Sequence, residues 1–411
     1  MCTKYPISSI VAGLLSVLFG AGAQAQDLQI HGFAAQGLVI SKGNNVNGDS
    51  TDKGGSTDFR ELGVNFSYRP TGSLLFAAQM AAVQAGRAID EELAIEYGLV
   101  DYTALTGPRG RLGLRAGKLK LPIGFYNDSR DAVFTRPGII LPESVYLENS
   151  GARAFGYFSA EGVGVYGDWY AGQHALYGEL QFAGPQDLDD TANIAILRTQ
   201  AATGKFEVDR GLIMRLADDY DGGRWRLALS LLTSDLSYVP DGSPFSPANL
   251  FTQAGQFDFD QAVLSLQYNV ERWSVTSEIV ARHIELDDLS PVPAIGAVEQ
   301  DPAGWYLQGS YRITPRWQWL LRYDHQVRDF DDRSGHEQAA GSPAGHPRHY
   351  FFARDWTTGT RYDLSANVSL LAEFHYVDGA GWVNPLDNPS FSAGGAERYW
   401  NFFTVMAALR F

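Results

Sequence analysis

The sequence predicts an all-β protein: a 16-stranded antiparallel transmembrane β-barrel with its third outer loop folded inward. Three observations carry this. Apolar and polar residues alternate with period two along nearly the whole chain after residue 25. Many alternating rows run near ten residues or more, the length a tilted strand needs to cross a bilayer, whereas strands of a soluble sandwich or propeller are about five or six. The connections alternate short and long, as turns on one side of a membrane and loops on the other would.

Residues 1–25 read as a secretory signal: Lys4, a short apolar core from Ile10 to Phe19, and Ala23-Gln24-Ala25 as the cleavage site. The barrel is then expected over 26–411. The single cysteine, Cys2, falls in the signal, so neither a disulfide nor thiol chemistry is expected after cleavage. The formal charge is −15, and loss of Lys4 makes it −16, which argues against nucleic acid as a partner. No apolar run after the signal is long enough for a membrane-spanning helix. Aromatic residues make up 13%, as strands with interfacial girdles require.

In chain order, Leu28, Ile30, Ala34, Leu38 and Ile40 form the first row, followed by a loop from Ser41 to Asp58. Leu62 to Tyr68 and Leu74 to Ala82 form the second and third, joined at Pro70-Thr71-Gly72. An outer connection near Gln84 to Glu92 leads to a more ambiguous fourth strand, Leu93 to Leu105. Leu112, Leu114 and Ala116 form the fifth. The stretch from Gly117 to Phe155 interrupts the alternation. It is too long for a hairpin, stiffened by Pro122, Pro137 and Pro142, and too apolar for a disordered linker. It is the expected constriction loop, about 118–155.

Alternation then resumes near 156–170, 173–183, 208–218, 224–235, 257–269, 272–285, 303–313, 317–329, 350–363, 368–377 and 398–411. The total is sixteen strands, seven short turns and eight outer connections, which leaves both ends on the turn side. Tyr68, Tyr102, Trp225, Tyr268, Trp273, Trp305, Trp317, Tyr362 and Tyr399 sit at row ends, as girdle residues would. The last row runs Tyr399, Asn401, Phe403, Val405, Ala407, Leu409, Phe411. Its terminal aromatic resembles the signal that such barrels present to the outer-membrane assembly machinery.

The chain resembles a Gram-negative outer-membrane porin. More narrowly, Arg115, Gly117, Lys120, Pro122 and Gly124 resemble the R-x-G-x-x-K-x-P-x-G passage by which the phosphate-selective (O and P type) porins enter their constriction loop. Ala353-Arg354-Asp355-Trp356 running on to Tyr362-Asp363, and Glu373-Phe374-His375-Tyr376, are similar to that group too. The resemblance implies a trimer narrowed by the third outer loop. The chain departs from the group in lacking a lysine or arginine ladder as dense as a dedicated phosphate channel needs.

If the apolar rows face lipid, Arg115, Arg215, Arg226, Arg282, Arg312, Arg322, Arg361 and Arg410 face the lumen, with Glu61, Glu179, Glu278, Asp324 and Glu373. Two readings stand. The arginines either give a positive eyelet that favours anions or carboxylates, or brace the inserted loop. Within the loop, Arg130 lies beside Asp128 and Asp131 and is expected to be neutralised locally. Arg136 has no adjacent acid and is the leading candidate for a constriction charge, with Arg153 as another. Lys118 and Lys120 share the lipid-facing row unless the strand bends near Pro122 and Gly124.

An enzyme is not expected. His283, His325 and His375 are lumen or rim histidines, and His336, His346 and His349 share an outer loop with Asp331, Asp332 and Glu337. Neither group matches a triad or a tight metal site, and no cofactor is implied. The expected function is passive diffusion of small hydrophilic solutes across the outer membrane, with lipid and lipopolysaccharide around the barrel. A surface receptor or adhesin with a plugged lumen is the alternative, and a barrel hydrolase a more distant one.

Overall fold

The computed structural model of the chain describes residues 28–149, 156–189, 191–342 and 344–411. Sixteen long antiparallel strands close into one barrel. They are β1 (Leu28–Lys42), β2 (Phe59–Tyr68), β3 (Leu74–Ala85), β4 (Ile89–Gly107), β5 (Gly110–Lys120), β6 (Ser159–Ala171), β7 (His174–Ala183) and β8 (Lys205–Tyr220). The second half comprises β9 (Trp225–Val239), β10 (Gly255–Asn269), β11 (Trp273–Asp287), β12 (Ala303–Thr314), β13 (Trp317–Val327), β14 (Phe352–Asp363), β15 (Val368–Gly379) and β16 (Tyr399–Arg410). Two short pieces, Gln186–Asp187 and Val298–Gln300, extend the ladder within outer connections.

Closure follows from β1 pairing on both sides, with β2 (Leu28 opposite Tyr68) and with β16 (Phe33 opposite Arg410). Closure leaves no free edge, so every strand satisfies its backbone without water. Phe411 completes the seam, exchanging both backbone hydrogen bonds with Gly32 at 3.0 Å.

The faces follow the sequence rows. Trp225, Leu227, Leu229 and Leu231 are exposed, whereas Ala228, Ser230 and Leu232 between them are buried. The expected girdle aromatics lie on the outside, Tyr68, Tyr102, Trp273 and Tyr399 among them. Trp305 and Tyr311, Trp317 and Tyr323, and Trp356 and Tyr362 are each six residues apart on adjacent strands. At a rise of about 3.4 Å per residue, each pair spans roughly 20 Å of strand and brackets the apolar band. Their rings pair along the rims: Trp225 with Tyr268 and Trp273 with Tyr311 at 4.4 Å, and Tyr323 with Trp356 at 4.7 Å.

One expectation is corrected. The connection between β3 and β4 is tight, since β4 begins at Ile89. β4 resists reading by alternation because two bulges fall within Leu93–Leu105, besides a third register shift near its start, and each shifts the alternation by one. Register passes from Gln79–Tyr97 to Met80–Ile95, skipping Glu96, and from Thr103–Gly113 to Leu105–Leu112, skipping Ala104. The first bulge turns Glu96 inward, where it is 3% exposed. The signal segment 1–25 and Arg153 lie outside the described residues.

Candidate functional site

The segment after β5 is bound to the inner side of the wall. Gly117 opens it with φ +128°, and a Cβ there would meet the Gly98 carbonyl oxygen at 2.2 Å, so only glycine fits. The bend therefore lies at Gly117, ahead of the expected Pro122 and Gly124. Past it, Lys120 leaves the lipid row. Its Nζ donates to Asp131 at 2.7 Å and lies 3.5 Å from Glu96. Lys118 stays half-buried, with no ion pair among the described residues.

Carboxylates on the wall accept the segment's backbone. Glu373 takes the N–H of Ile139 at 2.7 Å and of Ile140 at 3.1 Å. The approach is close enough that a Cβ on Gly138 would sit 1.9 Å from Glu373 Oε1. Glu278 takes the N–H of Phe125 at 2.9 Å and the hydroxyls of Tyr146, Tyr306 and Ser265. Four donors fill both oxygens of this fully buried carboxylate. Asp324 takes the N–H of Ser144 at 3.2 Å.

Arginines on the wall hold the segment's carbonyls and side chains. Arg322 donates to Ile140 O at 3.0 Å, Arg282 to Val145 O at 3.0 Å and Arg361 to Phe134 O at 3.2 Å. Arg215 reaches Asp128 at 3.4 Å, and the Arg226 guanidinium lies 5.1 Å from the Phe125 ring centre. Arg115 instead spans wall acids, Asp101 at 2.9 Å and Glu179 at 3.0 Å. The anchors thus sit on β2, β8, β9, β11, β13, β14 and β15. Every one of these contacts has the geometry that bracing requires.

The segment's own charges pair differently from their order in the chain. Arg130 is not neutralised by Asp128 or Asp131. Its Nη2 bonds Glu148 at 2.9 Å, and its guanidinium packs 3.9 Å from the Phe158 ring centre. Asp131 goes to Lys120 and Asp128 to Arg215. Arg136 lacks a neighbouring acid in sequence but meets Glu61 at 2.5 Å and Glu148 at 3.5 Å. It is 4% exposed, so its charge is spent on the wall.

Exposure separates the inner cations. The side chains of Arg130, Arg136 and Arg322 are at most 1% exposed, whereas Arg226 is 35%, Arg115 25% and Arg361 19% exposed. The three exposed ones lie toward the turn side, together with Asp219 and Asp363. Arg312 and Arg410 are exposed near the same end.

Glu143 opens a short helix, Glu143–Tyr146, whose four residues are all buried. Burial pushes its carboxyl up to about 8, with Glu148 and Asp324 acting the same way, against the opposing hydrogen bond from the Asn149 N–H at 2.6 Å.

Of His283, His325 and His375, only His375 faces inward. Its Nδ1 lies 2.7 Å from Asp355, its Nε2 3.3 Å from Glu373, and its ring stacks on Phe402 at 4.1 Å. His325 joins the outer girdle beside Trp305, and His283 faces outward toward Asp301. The loop histidines His346 and His349 place Nε2 against the carbonyls of Ser392 and Ala396. Among the described residues, no group of three His, Cys, Asp or Glu side chains is arranged to hold a metal ion.

No family model and no curated protein matches this sequence. Solved structures do match the fold. The outer membrane channel DcaP of Acinetobacter baumannii aligns at 14% identity and TM-score 0.56, covering 95% of this chain and 100% of that one. An anion-selective porin from Comamonas acidovorans aligns at 14% and 0.54, covering 93% and 99%. OmpT of Vibrio cholerae in its trimer form aligns at 10% and 0.54, covering 93% and 99%. Identity this low establishes a shared barrel fold.

Proposed function

We propose that this chain is an outer-membrane diffusion channel for small hydrophilic solutes, in which the segment 118–155 folds inward as the constriction. One observation carries the reading. Residues 120–148 bond inward-facing side chains on β2, β11, β13, β14 and β15, which supports a segment folded into the lumen. A chain that merely capped the outside would not reach Arg361, two residues from the turn end of β14. Residues 1–25 are the export signal in this reading, and the protein assembles as a homotrimer in the outer membrane, like the trimer form among the similar structures.

Anion preference is the finer part of the proposal. It rests on Arg115, Arg226 and Arg361, inner arginines that keep exposed surface while paired with Asp101 and Glu179, with Asp219 and with Asp363 respectively. Field lines focus in a narrow low-dielectric channel, so a few exposed cations there bias ion traffic. Selectivity is therefore assigned to these three, of which Arg226 and Arg361 also touch the segment, while the buried Arg130, Arg136, Arg282 and Arg322 only brace. The test is the reversal potential across a planar bilayer in a salt gradient. Arg226→Gln should move it toward the cation side, and Arg136→Gln should mainly alter the current noise. A cation-preferring native channel would remove the anion reading and leave the channel. A folded barrel with no conductance would favour a plugged receptor.

A further inference from the structure

The inward rows of β8 to β11 change character near their outer ends. Val208, Leu232, Leu236, Phe257, Phe259 and Leu286 face inward there, while Glu207, Asp235, Asp258, Asp260, Glu285 and Asp287 alternate with them on the outside. This is the reverse of the membrane band, where apolar residues face out. The wall here stands in water and encloses a dry interior, as in a soluble barrel. The apolar rows bound a cavity of about 370 Å³, within the range of small-ligand pockets, roughly 300–1,000 Å³.

Three arginines line the same cavity: Arg282, already bonded to Gln261 and Val145 O, and Arg198 and Arg328. Arg198 comes from the connection between β7 and β8, and Arg328 lies just past β13. Neither makes an ion pair among the described residues. Arg198 is 9% exposed. Its Nη2 donates to Val383 O at 2.9 Å, and its Nε is buried with no partner. Burial holds Arg198 well below the usual guanidinium range and the Arg328 charge pushes the same way, while burial brings Arg328 down to about 10. Buried cations are costly unless paired. Arg198 also lies 5.0 Å from the Phe391 ring centre, and neither it nor Arg328 bonds a carboxylate or the inserted segment among the described residues.

We propose that the cavity binds an amphipathic carboxylate, its apolar chain or ring against Leu232, Leu236, Phe257 and Phe259 and its carboxylate held by Arg198 and Arg328. A guanidinium fork matches a carboxylate in charge and shape. A fully hydrophilic anion would leave the apolar wall without contacts, and a neutral apolar solute would leave the cations unpaired.

The test uses the full barrel in lipid nanodiscs, because detergent would compete for an apolar cavity. Octanoate is titrated by calorimetry, with octan-1-ol, acetate and empty nanodiscs as controls. Saturable octanoate binding is expected, at least tenfold weaker in Arg198→Gln and in Arg328→Gln, and abolished by Ile213→Trp, which fills the cavity. Retained heat-modifiable gel migration shows that each variant folds. If Arg198→Gln fails to fold, the half-buried Arg328 carries the test. The absence of saturable binding, equal binding of octan-1-ol, or unchanged affinity in both arginine variants would overturn the proposal. Binding is read without current. A barrel that binds octanoate yet does not conduct would keep this site and lose the channel, and a conducting barrel that ignores octanoate would do the reverse.

Discussion

Replacing Glu373 with leucine should release the middle of the inserted segment while leaving the barrel intact. Glu373 is 2% exposed and is the acceptor for two consecutive backbone N–H groups, Ile139 and Ile140. Leucine keeps most of the volume but accepts nothing. Each buried N–H left without a partner costs about 1–3 kcal/mol, so the docked state loses about 2–6 kcal/mol. Taken at about 4 kcal/mol, the docked-to-released ratio falls roughly a thousandfold, because about 1.4 kcal/mol is one decade. The strand ladder is untouched, so the cost falls on the segment. Single-channel recording should show larger, noisier currents, and trypsin should cut after Arg130, which is buried in the native protein. Glu373→Gln keeps one carbonyl acceptor and should fall between. Gly138→Ala should act in the same direction, since its Cβ would sit 1.9 Å from the same carboxylate. Quiet native-like currents and full trypsin resistance in Glu373→Leu and Gly138→Ala together would refute the anchoring argument.

Glu143 supplies a pH dependence. Its carboxyl is raised to about 8, so its neutral form belongs to the docked state; this contribution is full below the ordinary carboxylate range and is lost as pH rises through about 8. Current noise should therefore rise between pH 7 and 9, and Glu143→Gln should flatten the dependence. Tyr146→Phe removes a hydroxyl that donates to Glu278 and accepts the N–H of Phe125 at 3.0 Å and of Tyr126 at 3.1 Å. Urea titration should show a loss of about 1–3 kcal/mol. Leu229→Arg places a charge in the outward apolar row. It should cost about 2–4 kcal/mol of barrel stability if that position lies near the bilayer midplane, and less toward the rims, measured by refolding into lipid vesicles.

The wall was legible because lipid imposes one rule on every strand. Trp225 to Leu231 and Tyr399 to Phe411 could be placed outward from alternation alone, and the strand count followed from the alternating connections. β4 resisted because its bulges at Glu96 and Ala104 reset the alternation twice. The site was less legible because its pairings are long-range. Arg136 finds Glu61, 75 residues away, and nothing local announces it. Adjacency misled for Arg130, whose partner is Glu148, 18 residues on. The cavity near Arg198 was missed although a signal exists. In Phe257-Asp258-Phe259-Asp260 the apolar phase runs opposite to that of Ala262, Leu264 and Leu266 on the same strand, which marks where the wall leaves the membrane.

The central claim is that the segment after β5 crosses the lumen and limits conduction. The most direct measurement compares single-channel conductance of the native protein with a variant in which residues 125–147 are replaced by a short Gly/Ser turn. A stable native step and a severalfold larger, weakly selective step in the variant are predicted. Equal conductance in two folded barrels, or none in either, would contradict the account.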